Sequence, residues 1–181
     1  MSSVTDKAGD DKDPLVSLAR EAIESYIRES KVIRPSLPIE GEPRRAGTFV
    51  SLHLPDGSLR GCIGTFEPCR GSMEEEIVAN AISAATCDPR FYPVTVDELS
   101  RLDISVDVLG PAEEVKDRKE LDPKRYGIIV RTLDGRQALL LPDLEGVETV
   151  EQQIRITCRK GSIDPEADQY RIYRFEVERH H

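Results

Sequence analysis

The chain has no tryptophan, three histidines and only 5% aromatic residues, so an indole platform for a ligand is excluded. It has no run approaching the roughly 18–20 consecutive apolar residues that a helical membrane span needs. Its four cysteines, Cys62, Cys69, Cys87 and Cys158, form no CxxC spacing, which removes zinc-ribbon and thioredoxin-type motifs. Free thiols in a reducing compartment are expected. Positive charge is also short. A net charge of −9 works against non-specific nucleic-acid binding, where neutralised phosphates supply most of the affinity. The basic stretch from Lys116 to Arg125 is interleaved with Asp and Glu and reads as a solvated face. No internal repeat is visible. The first 13 residues lack an apolar core and are rich in Asp, Ser and Lys, so residues 1–13 are read as a disordered tail rather than a secretory leader. A cytoplasmic location is the default expectation.

What is present fits one compact domain over residues 14–181, with room for two lobes. Asp13-Pro14 supplies an N-cap and a proline at the first helical position. Leu15, Leu18, Ala19, Ala22, Ile23, Tyr26 and Ile27 then recur at helical spacing, predicting a helix that ends before Pro35. Thr48–Leu54 and Leu59–Phe66 read as two strands joined by the turn Pro55-Asp56-Gly57-Ser58. Ser72 with Glu75 predicts a capping box opening a second helix that stops near Asp88-Pro89, and Thr95 with Glu98 another for a short turn. Asp103–Leu109 alternates as a half-buried strand. Tyr126–Arg131 and Arg136–Leu141 flank Leu133-Asp134-Gly135 as a second hairpin, and Thr149 with Gln152 opens a third helix that Gly161 stops. Tyr170–Val177 reads as one final strand with Tyr173, Phe175 and Val177 on one face. Hairpins separated by helices predict an α+β fold, a mainly antiparallel sheet packed with helices.

The segment Leu59-Arg60-Gly61-Cys62-Ile63-Gly64 carries most of the chemical information. If Leu54 pairs with Leu59, His53 faces Arg60, Ser51 faces Cys62 and Phe49 faces Gly64. Val50, Leu52, Leu54, Leu59 and Ile63 then form a core side, and Ser51, His53, Arg60 and Cys62 a polar side. A thiolate beside a cation is an activated nucleophile, so Cys62, Arg60 and His53 are the candidate catalytic group. Gly61 and Gly64 admit a ligand or a neighbouring backbone. With Ser51 they form a candidate ligand-binding set, to which Asp88 and Arg90 of the stiff loop Asp88-Pro89-Arg90-Phe91-Tyr92-Pro93 are added. The competing structural readings are a buried cysteine, an arginine lying over the sheet, an exposed strand histidine, and a helix stop with Phe91 as anchor. Cys69, Cys87 and Cys158 read as structural, and His180 with His181 as a mobile terminal pair. No metal site and no cofactor are expected.

The hexapeptide resembles the signature of the AMMECR domain family, called AmmeMemoRadiSam system protein A in prokaryotes. Asp88-Pro89-Arg90-Phe91, Leu139-Leu140-Leu141-Pro142 and the helix around Leu18–Ile23 support the resemblance, which spans Pro14 to the C-terminus. It implies an α+β fold with a larger and a smaller lobe and a cleft near the signature. It also implies association with a Memo-like protein and a radical SAM enzyme. The chain's own cysteines lack the clustering that an iron–sulfur cluster needs. Arg60, Gly61, Cys62 and Gly64 carry over as signature positions without a reaction. The absence of tryptophan departs from the family pattern. The leading expectation is a binding or accessory module using the signature hairpin. The alternative is a cysteine-dependent transferase or hydrolase with Cys62 as nucleophile.

Overall fold

The computed structural model of the protein describes residues 13–36 and 44–181, so all but the last residue of the expected tail lies outside the described residues. That last residue, Asp13, is ordered into the fold. Its Oδ1 accepts the backbone N–H groups of Leu15 and Val16 at 2.8 and 3.2 Å and starts helix α1, Pro14–Glu29. The helix ends at Ser30, in the left-handed region at φ 55°, five residues before Pro35. Strands β1 (Thr48–His53) and β2 (Leu59–Thr65) form the first hairpin. Helix α2 follows at Met73–Thr86, then a 3-10 turn at Val96–Arg101 and strand β3 at Asp103–Leu109.

The remaining elements are β4 (Glu113–Glu114), a second 3-10 turn (Arg118–Glu120), β5 (Gly127–Thr132), β6 (Gln137–Leu140), α3 (Val150–Lys160), β7 (Tyr170–Phe175) and β8 (Val177–His180). The strands arrange into two four-stranded sheets, ordered β2-β1-β3-β8 and β4-β7-β5-β6, with β1–β2, β1–β3, β4–β7, β5–β7 and β5–β6 all antiparallel. The α+β expectation holds. The chain divides into two compact units, one reaching to Val108 and including Arg179–His181, the other Leu109–Glu178.

In the first unit, α1 and α2 supply Leu15, Val16, Ile23, Ile77 and Ala81 to a core that meets Val50, Leu52, Ile104 and Val106 of the sheet. Each fully buried large aliphatic side chain there contributes about 1.5–3 kcal/mol. The alanines of α2 keep its backbone close to the strands. The second unit builds a smaller core from Leu121, Ile128, Val130, Ile154, Ile163 and Ile172, with Cys158 buried among them as a small apolar group.

Three local expectations are corrected. Ser72 does cap α2 by accepting the Glu75 N–H at 3.2 Å, but the Glu75 carboxylate turns to the Gly71 N–H at 3.0 Å, so the box is not reciprocal. The final strand is two strands: Tyr170–Phe175 joins the second sheet and Val177–His180 the first, with Glu176 between them. Alternation alone does not reveal that break. His180 is not a mobile end: it lies in β8, and its Nδ1 meets Asp13 Oδ2 at 2.7 Å, on the carboxylate that caps α1.

Candidate functional site

The site is built on the first hairpin. Along β1, Thr48, Val50 and Leu52 are buried, while Phe49, Ser51 and His53 alternate with them on the other face. The ladder pairs Phe49 with Gly64, Val50 with Ile63, Ser51 with Cys62 and Leu52 with Gly61, as the alternation predicts. It then shifts. His53 pairs with Leu59, so Arg60 becomes the extra residue of a bulge and does not face His53. On the opposite side of β1, Ser51 pairs with Ser105 and His53 with Asp103.

The bulge delivers Arg60 to a distant partner. Its Nε and Nη2 donate to the two carboxylate oxygens of Glu98 at 2.7 and 3.1 Å, and its Nη1 donates to the Tyr92 carbonyl at 3.0 Å. The side chain is only 13% exposed. The guanidinium holds the Glu98 carboxyl well below its ordinary range, down to about 2, despite the opposing effect of burial. Glu98 also accepts the Thr95 N–H at 2.8 Å, so one carboxylate caps the 3-10 turn and clamps the hairpin.

Cys62 is fixed through its backbone. Its N–H donates to Asp88 Oδ2 at 2.9 Å, and its carbonyl accepts from Arg90 Nη2 at 3.4 Å. Asp88 is buried and receives Arg90 Nε and Nη2 at 2.9 and 2.7 Å. That pairing holds the Asp88 carboxyl far below the usual carboxylate range and raises the Arg90 pKa. Phe91 lies between the two arginines, its ring centroid 5.9 Å from the Arg60 guanidinium carbon and 5.5 Å from that of Arg90.

The Cys62 sulfur is half-buried and accepts a hydrogen bond from Ser51 Oγ at 3.3 Å. Burial pushes its thiol pKa up, a shift that the Ser51 hydrogen bond and the Arg90 charge oppose and that the Asp107 and Asp88 carboxylates reinforce. Among the described residues Ser51 is the thiol's hydrogen-bond partner. The His53 ring does not hydrogen-bond it, and Arg60 is committed to Glu98.

The two signature glycines admit neighbouring protein atoms. A Cβ on Gly61 would fall 2.3 Å from the Ala84 carbonyl oxygen of α2, and one on Gly64 would fall 2.2 Å from the Phe49 ring. Gly61 therefore sets helix-to-sheet spacing, and Gly64 seats an aromatic across the strands.

Several residues that organise this region were not singled out by sequence. Asp107 is buried on the Ser51 side of β3 and receives Arg179 Nε and Nη2 at 2.7 and 3.1 Å. Glu76, also buried, accepts the Thr65 hydroxyl at 2.7 Å and the N–H groups of Cys69 and Arg70 at 2.8 Å each. Asn80 donates to the Thr48 carbonyl at 3.0 Å and to the Thr65 hydroxyl at 3.1 Å. Polar residues four apart beside the Ile77/Ala81/Ala84 stripe are the signal for this network. Among the described residues no group of three or more His, Cys, Asp or Glu is arranged to hold a metal ion, and no helix is long and apolar enough to cross a membrane.

Two antiparallel sheets with helices, and an arginine–cysteine hairpin braced by a carboxylate loop, define the kind of domain. A model of the AMMECR1 family matches residues 16–180, and the chain belongs to that family. A protein of Thermotoga maritima is 54% identical over 169 residues, covering 92% of this chain and 97% of its own. A protein of Clostridium acetobutylicum is 48% identical over 173 residues, but the match covers only 36% of its length. A solved structure of an uncharacterised protein from Pyrococcus horikoshii superposes with a TM-score of 0.81 at 33% identity, over 91% of this chain and 88% of that one.

Proposed function

We propose that the protein is a cytosolic binding or accessory module that works with Memo-like and radical SAM partner proteins through the polar face of its signature hairpin. The observation that carries this reading is how the signature spends its functional groups. Arg60 neutralises Glu98, the Cys62 backbone is taken up by Asp88 and Arg90, and the thiol is held toward its protonated form by burial. These arrangements fix shape, which recognition requires. A nucleophile needs a thiolate and a base within about 2.6–3.2 Å of it. The Clostridium relative, which extends well beyond the matched region, also supports a modular role.

The test uses the full chain with the Memo-like and radical SAM proteins of the same genome, purified separately and mixed. Co-elution should survive Cys62→Ser and weaken at least tenfold in Ser51→Tyr, which crowds the polar face. Cys62 should alkylate with iodoacetamide at pH 7 more slowly than exposed Cys69 and Cys87. Faster alkylation at Cys62, or loss of co-elution in Cys62→Ser, would favour the cysteine-nucleophile alternative instead.

A further inference from the structure

Of the chain's four phenylalanines and five tyrosines, Tyr92 alone is exposed, at 90%, while the others are buried or half-buried. Covering an aromatic side chain removes about 150–250 Å2 of surface from water, so a ring left outside forgoes one of the larger favourable contributions open to a fold. Its neighbour Phe91 is placed differently, between the guanidinium groups of Arg60 and Arg90. Val96, 46% exposed, follows in the 3-10 turn of the same segment.

The exposed ring stands on a fixed backbone. Pro89 and Pro93 set φ on either side of it. The Phe91 N–H donates to the Asp88 carbonyl at 3.1 Å, and the Val94 N–H to the Ala85 carbonyl at 2.8 Å. Between these anchors, Arg60 Nη1 donates to the Tyr92 carbonyl itself at 3.0 Å while its Nε and Nη2 hold Glu98. One guanidinium of the signature therefore ties together the hairpin, the 3-10 turn and the tyrosine backbone. Only an arginine fork can do this, since a lysine ammonium is a single point charge. A tyrosine has two χ angles, so on a fixed backbone it loses little entropy when its ring is covered.

A ring this exposed projects from the surface, whereas a small-molecule site is concave and buries most of its ligand. The concavity must then belong to the other molecule. A nucleic-acid strand stacking on the ring is disfavoured by the net charge of −9. A folded protein fits, because tyrosine and arginine are enriched among the residues that carry protein interfaces. Arg90, two residues before Tyr92, has a side chain 55% exposed and an Nη1 without a hydrogen bond among the described residues. We infer that Tyr92 is the anchor of a protein interface and Arg60 the positioning residue that presents it, an inference that rests on the binding-module reading above. The ring enters an apolar pocket of the partner protein, whose rim supplies hydrogen-bond acceptors to the phenol hydroxyl and to Arg90. Covering it supplies about a fifth or more of the about 800 Å2 that a standard interface takes from each side.

The test titrates the full chain against the purified Memo-like and radical SAM proteins of the same genome by calorimetry, with the thermal midpoint as folding control. Tyr92→Ala should leave the midpoint unchanged, because the side chain is exposed, and weaken the complex about tenfold or more. Tyr92→Phe should keep most of the affinity. Leu133→Ala, which removes an exposed apolar side chain of the second unit, should keep all of it. Arg60→Lys should weaken the complex in the parent chain and cause no further loss in Tyr92→Ala, the coupling expected of a residue that acts through the ring. Full affinity in Tyr92→Ala overturns this inference alone, and additive losses in the double variant overturn the role of Arg60. Absence of a complex with either protein removes the binding-module reading and this inference with it. A dimer of the chain alone, or an oligothymidylate complex, that Tyr92→Ala abolishes would give the ring a different occupant and overturn the assignment.

Discussion

The hairpin of β1 and β2 and that of β5 and β6 both turn near a glycine with positive φ, Gly57 at 81° and Gly135 at 90°. Both are secured by arginine–carboxylate pairs. In the second hairpin, Arg136 reaches Asp134 and Asp168 at 2.7 and 2.8 Å with its side chain 37% exposed. In the first, Arg60 is 13% exposed against Glu98, and Asp88 is 2% exposed although the Arg90 side chain over it is 55% exposed, so the Arg60–Glu98 pair and the Asp88 carboxylate are the buried members. The pairing chemistry is shared, but burial differs, and burial decides the consequence. An exposed pair is worth about 0–1 kcal/mol and is screened by salt. A buried pair adds little net stability, yet removing one partner strands a charge and is costly, so it specifies where each segment must lie. The first hairpin is therefore tied to one position of the 88–98 segment, while the second is merely trimmed at its turn.

Gly61→Val should break the first hairpin most severely, because its new side chain meets backbone of α2 rather than a movable side chain. We expect a loss of about 3 kcal/mol or more in chemical denaturation, against about 1 kcal/mol for Gly57→Ala, where space is open but φ is positive. Arg60→Ala should cost about 2 kcal/mol by stranding Glu98, and Arg60→Ala/Glu98→Ala should recover part of that loss in a double-mutant cycle.

Acid sharpens the same contrast. Glu98 has a folded pKa of about 2 against an ordinary 4.5, and that of Asp88 is depressed as well. Both bind protons more readily when unfolded. The Glu98 contribution is complete above about pH 4.5 and disappears as pH falls through about 2, and the Asp88 contribution is lost at still lower pH. Amide protection factors in β2, taken relative to the intrinsic exchange rate at each pH, should fall across that window, with little change on adding 1 M salt. The smallest effect belongs to Arg136→Ala. It should lower the denaturation midpoint least of these variants, and the loss should shrink further at high salt.

The pairing of Ser51 with Cys62 was legible because apolar residues alternate on both arms, and alternation fixes which residues share a face. The shift at Leu52/His53 was not. A bulge adds one residue without altering composition, so regular pairing puts Arg60 opposite His53, whereas in the structure it leaves the ladder. Glu98 was readable as a cap on Thr95, a contact three residues away. Its second role depends on Arg60, 38 residues earlier, and no local pattern encodes that distance. Gly61 and Gly64 marked close approach correctly, but sequence could not say that the approaching groups are Ala84 and Phe49. The split at Glu176 escaped for a related reason: strand propensity runs through it, while sheet membership is decided by tertiary pairing.

Strand β2 ends its sheet, and the end strand of a sheet presents unpaired backbone groups that invite another chain to add on. At Cys62 that invitation is withdrawn from both sides, since the Asp88 carboxylate takes the N–H and the Arg90 guanidinium takes the carbonyl. The loop thus stands in for a neighbouring strand while offering no free edge of its own at that point. The signature strand therefore meets solvent at Cys62 with its backbone groups already spent, and the hydrogen bonds that an added strand would make there are made by side chains of the same chain.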